Sequence, residues 1–96
     1  MKILVIGGTR YFGRRLVDHL ISDQHNVTIV TRGENPFGER VTHLAADRTD
    51  PGALRRALGD LEFDLVYDQL IYAPNEARDL CDILKGRARK VIMTSS

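Results

Sequence analysis

The sequence has no tryptophan, a single cysteine, and aromatic side chains at only 6% of its 96 positions. Because a disulfide needs two cysteines, Cys81 excludes an internal crosslink and fits a reducing compartment, so we expect a cytoplasmic protein. The formal net charge of +1 gives no general field for attracting nucleic acid or a membrane surface. No apolar run approaches the length that a membrane span needs.

What the chain does contain is enough apolar material, 43% of its residues, for the core of one domain over residues 1–96. The first apolar run, Lys2 to Ile6, is too short for a secretory leader and leads into glycines, so it predicts a buried first strand. Arg14-Arg15, Arg55-Arg56 and the cluster from Lys85 to Lys90 are local basic groups, which we expect to form solvated helix faces or helix ends.

A glycine-rich turn follows this first strand and precedes a helical pattern. Gly7 permits a tight turn, Gly8 keeps a side chain away from a ligand, and Gly13 lets the helix pack closely on the strand. This order of strand, turn and helix aims free N–H groups and the positive end of a helix dipole at a phosphate. The alternative is a glycine turn in an α/β domain with another function.

The rest of the chain alternates between strand and helix patterns, while the polar stretch 33–40 predicts a loop without a helix. Such alternation requires a parallel sheet with right-handed crossovers, which we predict to have the strand order 3-2-1-4-5. The predicted elements are a helix over 11–22, strands over 27–30 and 41–45, a helix capped by Asp50 and ended by Gly59, a strand over 65–67, a helix from Pro74 to Gly86, and a strand over 90–94.

This connectivity leaves part of the sheet uncovered. The first helix lies on one face and the two later helices lie on the other, so strands four and five are bare on the first side. A bare parallel sheet face and an unpaired edge strand require a partner. We therefore expect a homo-oligomer that buries this face or pairs along the fifth strand.

The segment from Ile6 to Gly13, IGGTRYFG, resembles the GGTRFIG variant of some NAD-dependent epimerase/dehydratase proteins, which belong to the extended short-chain dehydrogenase/reductase family. The resemblance implies an α/β fold of the Rossmann type, a doubly wound parallel sheet. It covers nearly the whole chain but only the N-terminal part of the family's domain, so we expect the fold to be truncated after strand five, without the C-terminal catalytic and substrate-binding part. Later stretches agree in order: Val30–Gly33, Ala46–Asp50, Phe63–Asp68, Lys85–Arg87 and Val91–Ser96.

On this resemblance the cofactor is a nicotinamide dinucleotide, with the diphosphate held by the turn Gly7, Gly8, Thr9, Arg10, Tyr11, Phe12 and Gly13. Arg10 stands where the short-chain fingerprint has its middle glycine, and it either adds a phosphate contact or points to solvent. Arg32 ends the second predicted strand, beside the adenosine ribose. Because an arginine there binds a 2′-phosphate and an acid would repel it, the sequence favours NADP over NAD.

Further contacts come after strands three and four. The resemblance implies that Asp47, with Arg48 beside it, bonds the adenine amino group; an ordinary loop acid is the alternative. We expect Gln69, Leu70 and Ile71, just after strand four, to line the path between adenosine and nicotinamide.

The proton-transfer residues of the family are missing from these 96 residues. The family pairs a catalytic tyrosine with a lysine four positions later, whereas Tyr11, Tyr67 and Tyr72 are followed at that spacing by arginine, isoleucine and glutamate. Ser96 matches the serine that holds the reacting oxygen of the substrate, with an inert terminal serine as the alternative. We therefore predict no turnover by this chain alone.

The other chemistry-bearing residues are predicted to be structural. Cys81 lies on an apolar helix stripe and is expected in the core, and Asp64 and Asp68 are expected as strand-end acids. The histidines lack metal-ligand spacing, so we expect no metal site and place them on the surface or at helix ends: His19, His25 and His43.

Three functions remain open on the sequence. The first is the NAD(P)-binding portion of an epimerase/dehydratase-like oxidoreductase. The second is a nucleotide-binding or redox-sensing module without catalysis. The third is an RNA-associated protein, as reported for some relatives with this glycine motif; the balanced charge and the lack of an aromatic–basic stripe count against it.

Overall fold

The computed structural model describes residues 1–7, 11–33, 35–47, 50–71 and 74–95, with the backbone alone for 11–13, 69–71, 74–77 and 93–95. Within these residues strands and helices alternate, as the sequence predicts. The elements are β1 (Lys2–Ile6), α1 (Tyr11–Ser22), β2 (Asn26–Thr31), β3 (Thr42–Ala45), α2 (Pro51–Leu58), β4 (Phe63–Ile71), α3 (Pro74–Leu84) and β5 (Ala88–Ser95).

The strands form one sheet in the order β3-β2-β1-β4-β5, and each neighbouring pair is parallel. This confirms the predicted topology. The central strand β1 is buried from Ile3 to Ile6. It pairs with β2 on one side and with β4 on the other. The strand order therefore reverses at β1: β2 and β3 are added on one side of it, and β4 and β5 on the other. Such a reversal places a crevice outside the carboxyl ends of the two strands that flank it.

Two cores form on the two faces of the sheet, because successive side chains of a strand point to opposite sides. Leu4 and Ile6 of β1 pack with the buried leucines and isoleucine of α2 and α3. Ile3 and Val5 pack with Val17 and Leu20 of α1. The helices therefore divide between the faces as predicted.

The segment between β2 and β3 is a loop, as predicted, with one short 3₁₀ turn at Gly38–Arg40. Its Phe37 is only 3% exposed and joins the α1-face core. The side chain of Asn35 holds this loop, since its Oδ1 accepts from the N–H of Phe37 at 3.0 Å and its Nδ2 donates to the carbonyl of Gly38 at 3.0 Å. The loop thus supplies an apolar contact on the face that has a single helix among the described elements.

Both predicted ends of α2 are confirmed. Oδ1 of Asp50 accepts from the N–H of Ala53 at 3.2 Å, and Pro51 begins the helix. Gly59 ends the helix with φ of 53°, a positive value that residues with a side chain rarely adopt.

Two expectations at the element level were wrong. The fourth strand extends from Phe63 to Ile71, because β5 pairs with it up to Ile71 although the pairing with β1 ends at Asp68, so residues 69–71 belong to the strand rather than following it. Cys81 is exposed, not a core residue. The inward stripe of α3 follows Leu80, Ile83 and Leu84, and Cys81 lies one helical step of about 100° from Leu80.

In the described part of the chain, no helix combines the length and the apolarity that crossing a membrane would take.

Candidate functional site

The predicted cofactor residues that the structure describes lie at one edge of the sheet, where the parallel strands have their carboxyl ends. Gly7 follows β1, Arg32 follows β2, and Asp47 lies two residues beyond β3. Gly7 has φ of 82°, and its N–H donates to the carbonyl of Val30 at 3.2 Å. The turn that leads from the central strand into α1 thus begins with a glycine in the left-handed region, as the sequence predicts.

Several predicted site residues lie outside what the structure describes. They are Gly8, Thr9, Arg10, Arg48 and Ser96. Tyr11, Phe12 and Gly13 form the first turn of α1 by their backbone. Because α1 begins at Tyr11, four residues after Gly7, the N-terminal N–H groups of this twelve-residue helix lie at the same edge as Arg32 and Asp47.

Arg32 and Asp47, which the sequence assigned to the ribose and the adenine, form an ion pair. Nη2 of Arg32 lies 3.6 Å from Oδ1 of Asp47, and the two side chains are 77% and 46% exposed. An ion pair this exposed contributes about 0–1 kcal/mol. A charge-assisted hydrogen bond to phosphate contributes about 1.5–3 kcal/mol, so a phosphate binds the Arg32 guanidinium more strongly than Asp47 does.

The turn that carries Arg32 is fixed by the side chain of Thr31. Its Oγ1 accepts from the N–H of Gly33 at 3.3 Å and lies 2.6 Å from Nε2 of His43 in β3. The carbonyl of Thr31 accepts from the N–H of Ala46 at 2.9 Å. These bonds join the ends of β2 and β3 and orient the residue between Thr31 and Gly33.

His43 is a residue that the sequence reasoning missed. We expected it on the surface or at a helix end, and that was wrong, since it lies half-buried in β3 against Thr31. The register of β2 with β3 explains this contact, because Thr31 pairs with Ala45 and His43, two residues before Ala45, lies on the same face of the sheet. The other two histidines lie where they were expected, with His19 in the last turn of α1 and His25 just after it.

Asp68 also differs from its expected role. It is fully buried inside β4, in register with Ile6 of β1 and Met93 of β5, rather than at a strand end. Asp68 has an interaction partner, which a buried carboxylate requires. Residues 69–71 continue the same strand toward the carboxyl edge.

The arrangement is suited to binding an anion rather than a metal ion. A positive-φ glycine opens the turn, a helix N-terminus follows it, and an exposed guanidinium stands beside it. Among the described residues, no group of three or more histidine, cysteine, aspartate or glutamate side chains is placed to hold a metal ion. The residues present therefore fit the diphosphate and ribose of a dinucleotide.

The strand order, the crevice at β1 and the glycine turn define a fold of the Rossmann type. The model of the NAD dependent epimerase/dehydratase family matches residues 3–84. The chain belongs to that family.

Solved structures agree on the fold. The chain superposes with a TM-score of 0.81 on the yeast methylglyoxal/isovaleraldehyde reductase Gre2 complexed with NADPH, at 17% identity, covering 100% of this chain and 38% of that one. It superposes with a TM-score of 0.79 on the enzyme WbmG of Bordetella bronchiseptica in complex with NAD, at 17% identity, covering 97% of this chain and 36% of that one.

A curated relative is more similar in sequence. The chain is 35% identical over 82 residues to the chloroplast stem-loop binding protein of 41 kDa b from Arabidopsis thaliana, an alignment covering 70% of this chain. The matched region is 22% of that relative's length. The chain therefore spans less than half the length of each of these three proteins.

Proposed function

We propose that this chain is the dinucleotide-binding portion of an NAD(P)-dependent oxidoreductase of the epimerase/dehydratase type. The observation that carries the proposal is the left-handed conformation of Gly7 at the carboxyl end of the central strand, four residues before α1 begins at Tyr11. The complexes of Gre2 with NADPH and of WbmG with NAD support a nicotinamide dinucleotide as the ligand. When bound, that dinucleotide supplies hydride transfer.

Within this site we assign NADP as the preferred cofactor. Arg32 is exposed at the end of β2 and forms an ion pair with Asp47 at 3.6 Å, in which both side chains are exposed. A 2′-phosphate of NADP displaces that weak contact and gains a guanidinium donor, whereas the 2′-hydroxyl of NAD gains less. In this arrangement Asp47 accepts from the adenine amino group.

We further propose that these 96 residues bind without turnover. A tyrosine followed four positions later by lysine does not occur in the sequence. Dinucleotide binding with no oxidoreductase, epimerase or dehydratase activity is the expected result. This outcome also fits the alternative of a nucleotide-binding or redox-sensing module, and the two differ in whether a longer chain carrying the missing pair regains activity.

The test is calorimetric titration with NADP and NAD. We expect NADP to bind about tenfold more tightly, the equivalent of one charge-assisted hydrogen bond. Arg32→Asp reverses the preference, because an acid at that position repels the phosphate and accepts from the ribose hydroxyl. Arg55→Asp, at an exposed position of α2, is the control and keeps the wild-type ratio. Absence of binding by both dinucleotides would refute the proposal.

A second candidate, binding of a stem-loop RNA, is favoured only by the name of the 35% identical relative. The formal net charge of +1 counts against it. Titration with a stem-loop RNA at two salt concentrations tests it: affinity that falls steeply with salt supports RNA binding. If RNA and NADP also compete, the two ligands share the carboxyl edge.

A further inference from the structure

The segment between β2 and β3 follows the turn that carries Arg32 and packs on the α1 face of the sheet. We call residues 35–41 the strap. Its Phe37 is almost fully buried and belongs to the apolar cluster that also contains Val17 and Leu20 of α1. Because returning a ring of this size to water is unfavourable, Phe37 holds the middle of the strap against α1.

Arg40 connects the strap to α1 a second time. Its Nη1 lies 3.8 Å from Oδ1 of Asp18 in α1, and its Nε donates to the carbonyl of Phe37 at 3.2 Å. Its guanidinium carbon lies 5.9 Å from the centroid of the Phe37 ring. Both members of the ion pair are more than half exposed, so that pair is weak. The buried ring is therefore the main attachment, and Arg40 keeps the backbone folded over it.

The attachment joins the two parts of the proposed dinucleotide site. The N-terminus of α1 faces the diphosphate, and the strap continues from the turn whose Arg32 faces the 2′-phosphate. The turn itself is closed by a bond of 3.3 Å from the N–H of Gly33 to Oγ1 of Thr31, which is long for a hydrogen bond. Phe37 lies five residues after Arg32, a distance of at most about 18 Å along the chain. Fixing Phe37 on α1 therefore restricts where Arg32 can lie relative to that helix.

We propose that Phe37 is a positioning residue for NADP: by holding the strap on α1, it keeps the Arg32 guanidinium where a 2′-phosphate can bind. This inference rests on the function proposed above. Phe37 divides the chain between Arg32 and Thr42 into two equal short loops, and its loss leaves one loop twice as long. Doubling a loop lowers the population of its ordered form about threefold. The affinity for NADP falls with that population, whereas NAD, which has no 2′-phosphate, keeps its affinity.

The experiment is calorimetric titration of Phe37→Ala with NADP and NAD. We expect the ratio of the two affinities to fall about threefold, through weaker binding of NADP. Phe63→Ala is the matched control, because Phe63 is similarly buried in the core on the opposite face. That variant loses stability to a comparable extent and keeps the wild-type ratio. Phe37→Leu refills most of the cavity and restores the ratio.

Two further measurements cover the case in which Phe37→Ala does not fold. Asn35→Ala removes the bonds to the N–H of Phe37 and the carbonyl of Gly38 without opening a cavity in the core, and it lowers the ratio in the same direction. The coupling is also reciprocal, so NADP must favour the closed strap. In the wild-type chain, saturating NADP therefore slows amide hydrogen exchange at Phe37 and Arg40 at least threefold, and NAD does not.

The possible failures are distinguishable. If neither dinucleotide binds the wild-type chain, the proposed function fails and this inference fails with it. If both bind equally, the roles of Arg32 and Phe37 are overturned, while dinucleotide binding stands. If the wild-type chain prefers NADP but Phe37→Ala and Asn35→Ala keep its ratio, only the role of Phe37 is overturned. An equal fall in Phe63→Ala, or equal slowing of exchange by NADP and NAD, would overturn that role as well.

Discussion

At the scale of single residues, the candidate site depends on how Arg32 is held. Thr31 closes the turn around it by accepting from Gly33, and His43 fixes the hydroxyl from the neighbouring strand. The guanidinium then lies at the mouth of the site beside Asp47. The proposed selectivity for the ribose phosphate therefore depends on Thr31 and His43, which need not touch the ligand.

This arrangement predicts the effect of Thr31→Val. Removing Oγ1 releases the turn at the cost of a hydrogen bond worth about 1 kcal/mol, so the preference for NADP over NAD falls by about fivefold. Calorimetric titration with both dinucleotides measures the ratio. Thr31→Ser restores it, and Thr42→Val, at an exposed position of β3, leaves it unchanged. A wild-type ratio in Thr31→Val would show that the turn does not orient Arg32.

The sequence predicts residues well where the neighbours in the chain decide their role. Gly7, Asp50 and Gly59 have the conformations or bonds that their local patterns indicate. His43 and Asp68 do not follow from local pattern, because their surroundings come from strands distant in the chain.

At the scale of elements, the end of α1 offers a test of backbone strain. Gln24 has φ of 65°, with its N–H donating to Ile21 and that of His25 donating to Leu20. These are the bonds of a helix end that normally has glycine at the left-handed position.

Gln24→Gly is therefore expected to stabilise the chain by about 0.5–1 kcal/mol, since a side chain is costly in this conformation and glycine loses part of that gain through entropy. Urea unfolding measures the free energy of unfolding. Gln24→Ala, which keeps a Cβ, is the matched control and gives no such gain. Equal stability of the glycine and alanine variants would contradict the assigned strain.

Element type is predictable from this sequence, and element length is less so. The run Leu65 to Tyr67 identifies β4, but the strand continues to Ile71 because β5 still pairs with it there, whereas the pairing with β1 ends at Asp68. The pattern of apolar and polar residues over 68–71 does not predict that extension. Tertiary pairing, not propensity, sets where the strand ends.

At the scale of the whole molecule, the topology follows from few constraints. Alternating elements require parallel strands, and right-handed crossovers then divide the helices between the two faces. The two cores agree with that division. On the α1 face, Leu65 and Tyr67 of β4 are only half-buried, and so is Ile92, which pairs with Tyr67 in register.

The homo-oligomer expected from the sequence remains a prediction. If a second copy covers this face, Tyr67→Lys places a charge in the contact and yields a monomer. Sedimentation velocity measures the oligomeric state. Leu61→Lys is the control, because Leu61 is 44% exposed in the turn before β4. A wild-type chain that stays monomeric at every concentration would contradict the expectation.

The central claim is that the carboxyl edge of this sheet binds a nicotinamide dinucleotide. Titration with NADPH, followed by amide NMR shifts, tests it most directly because it locates the ligand. We expect saturable changes at Gly7, Arg32, Gly33 and Asp47, with none at Lys2 or Asp64 at the other edge. Changes confined to the amino edge, or no saturable change at any amide, would contradict it.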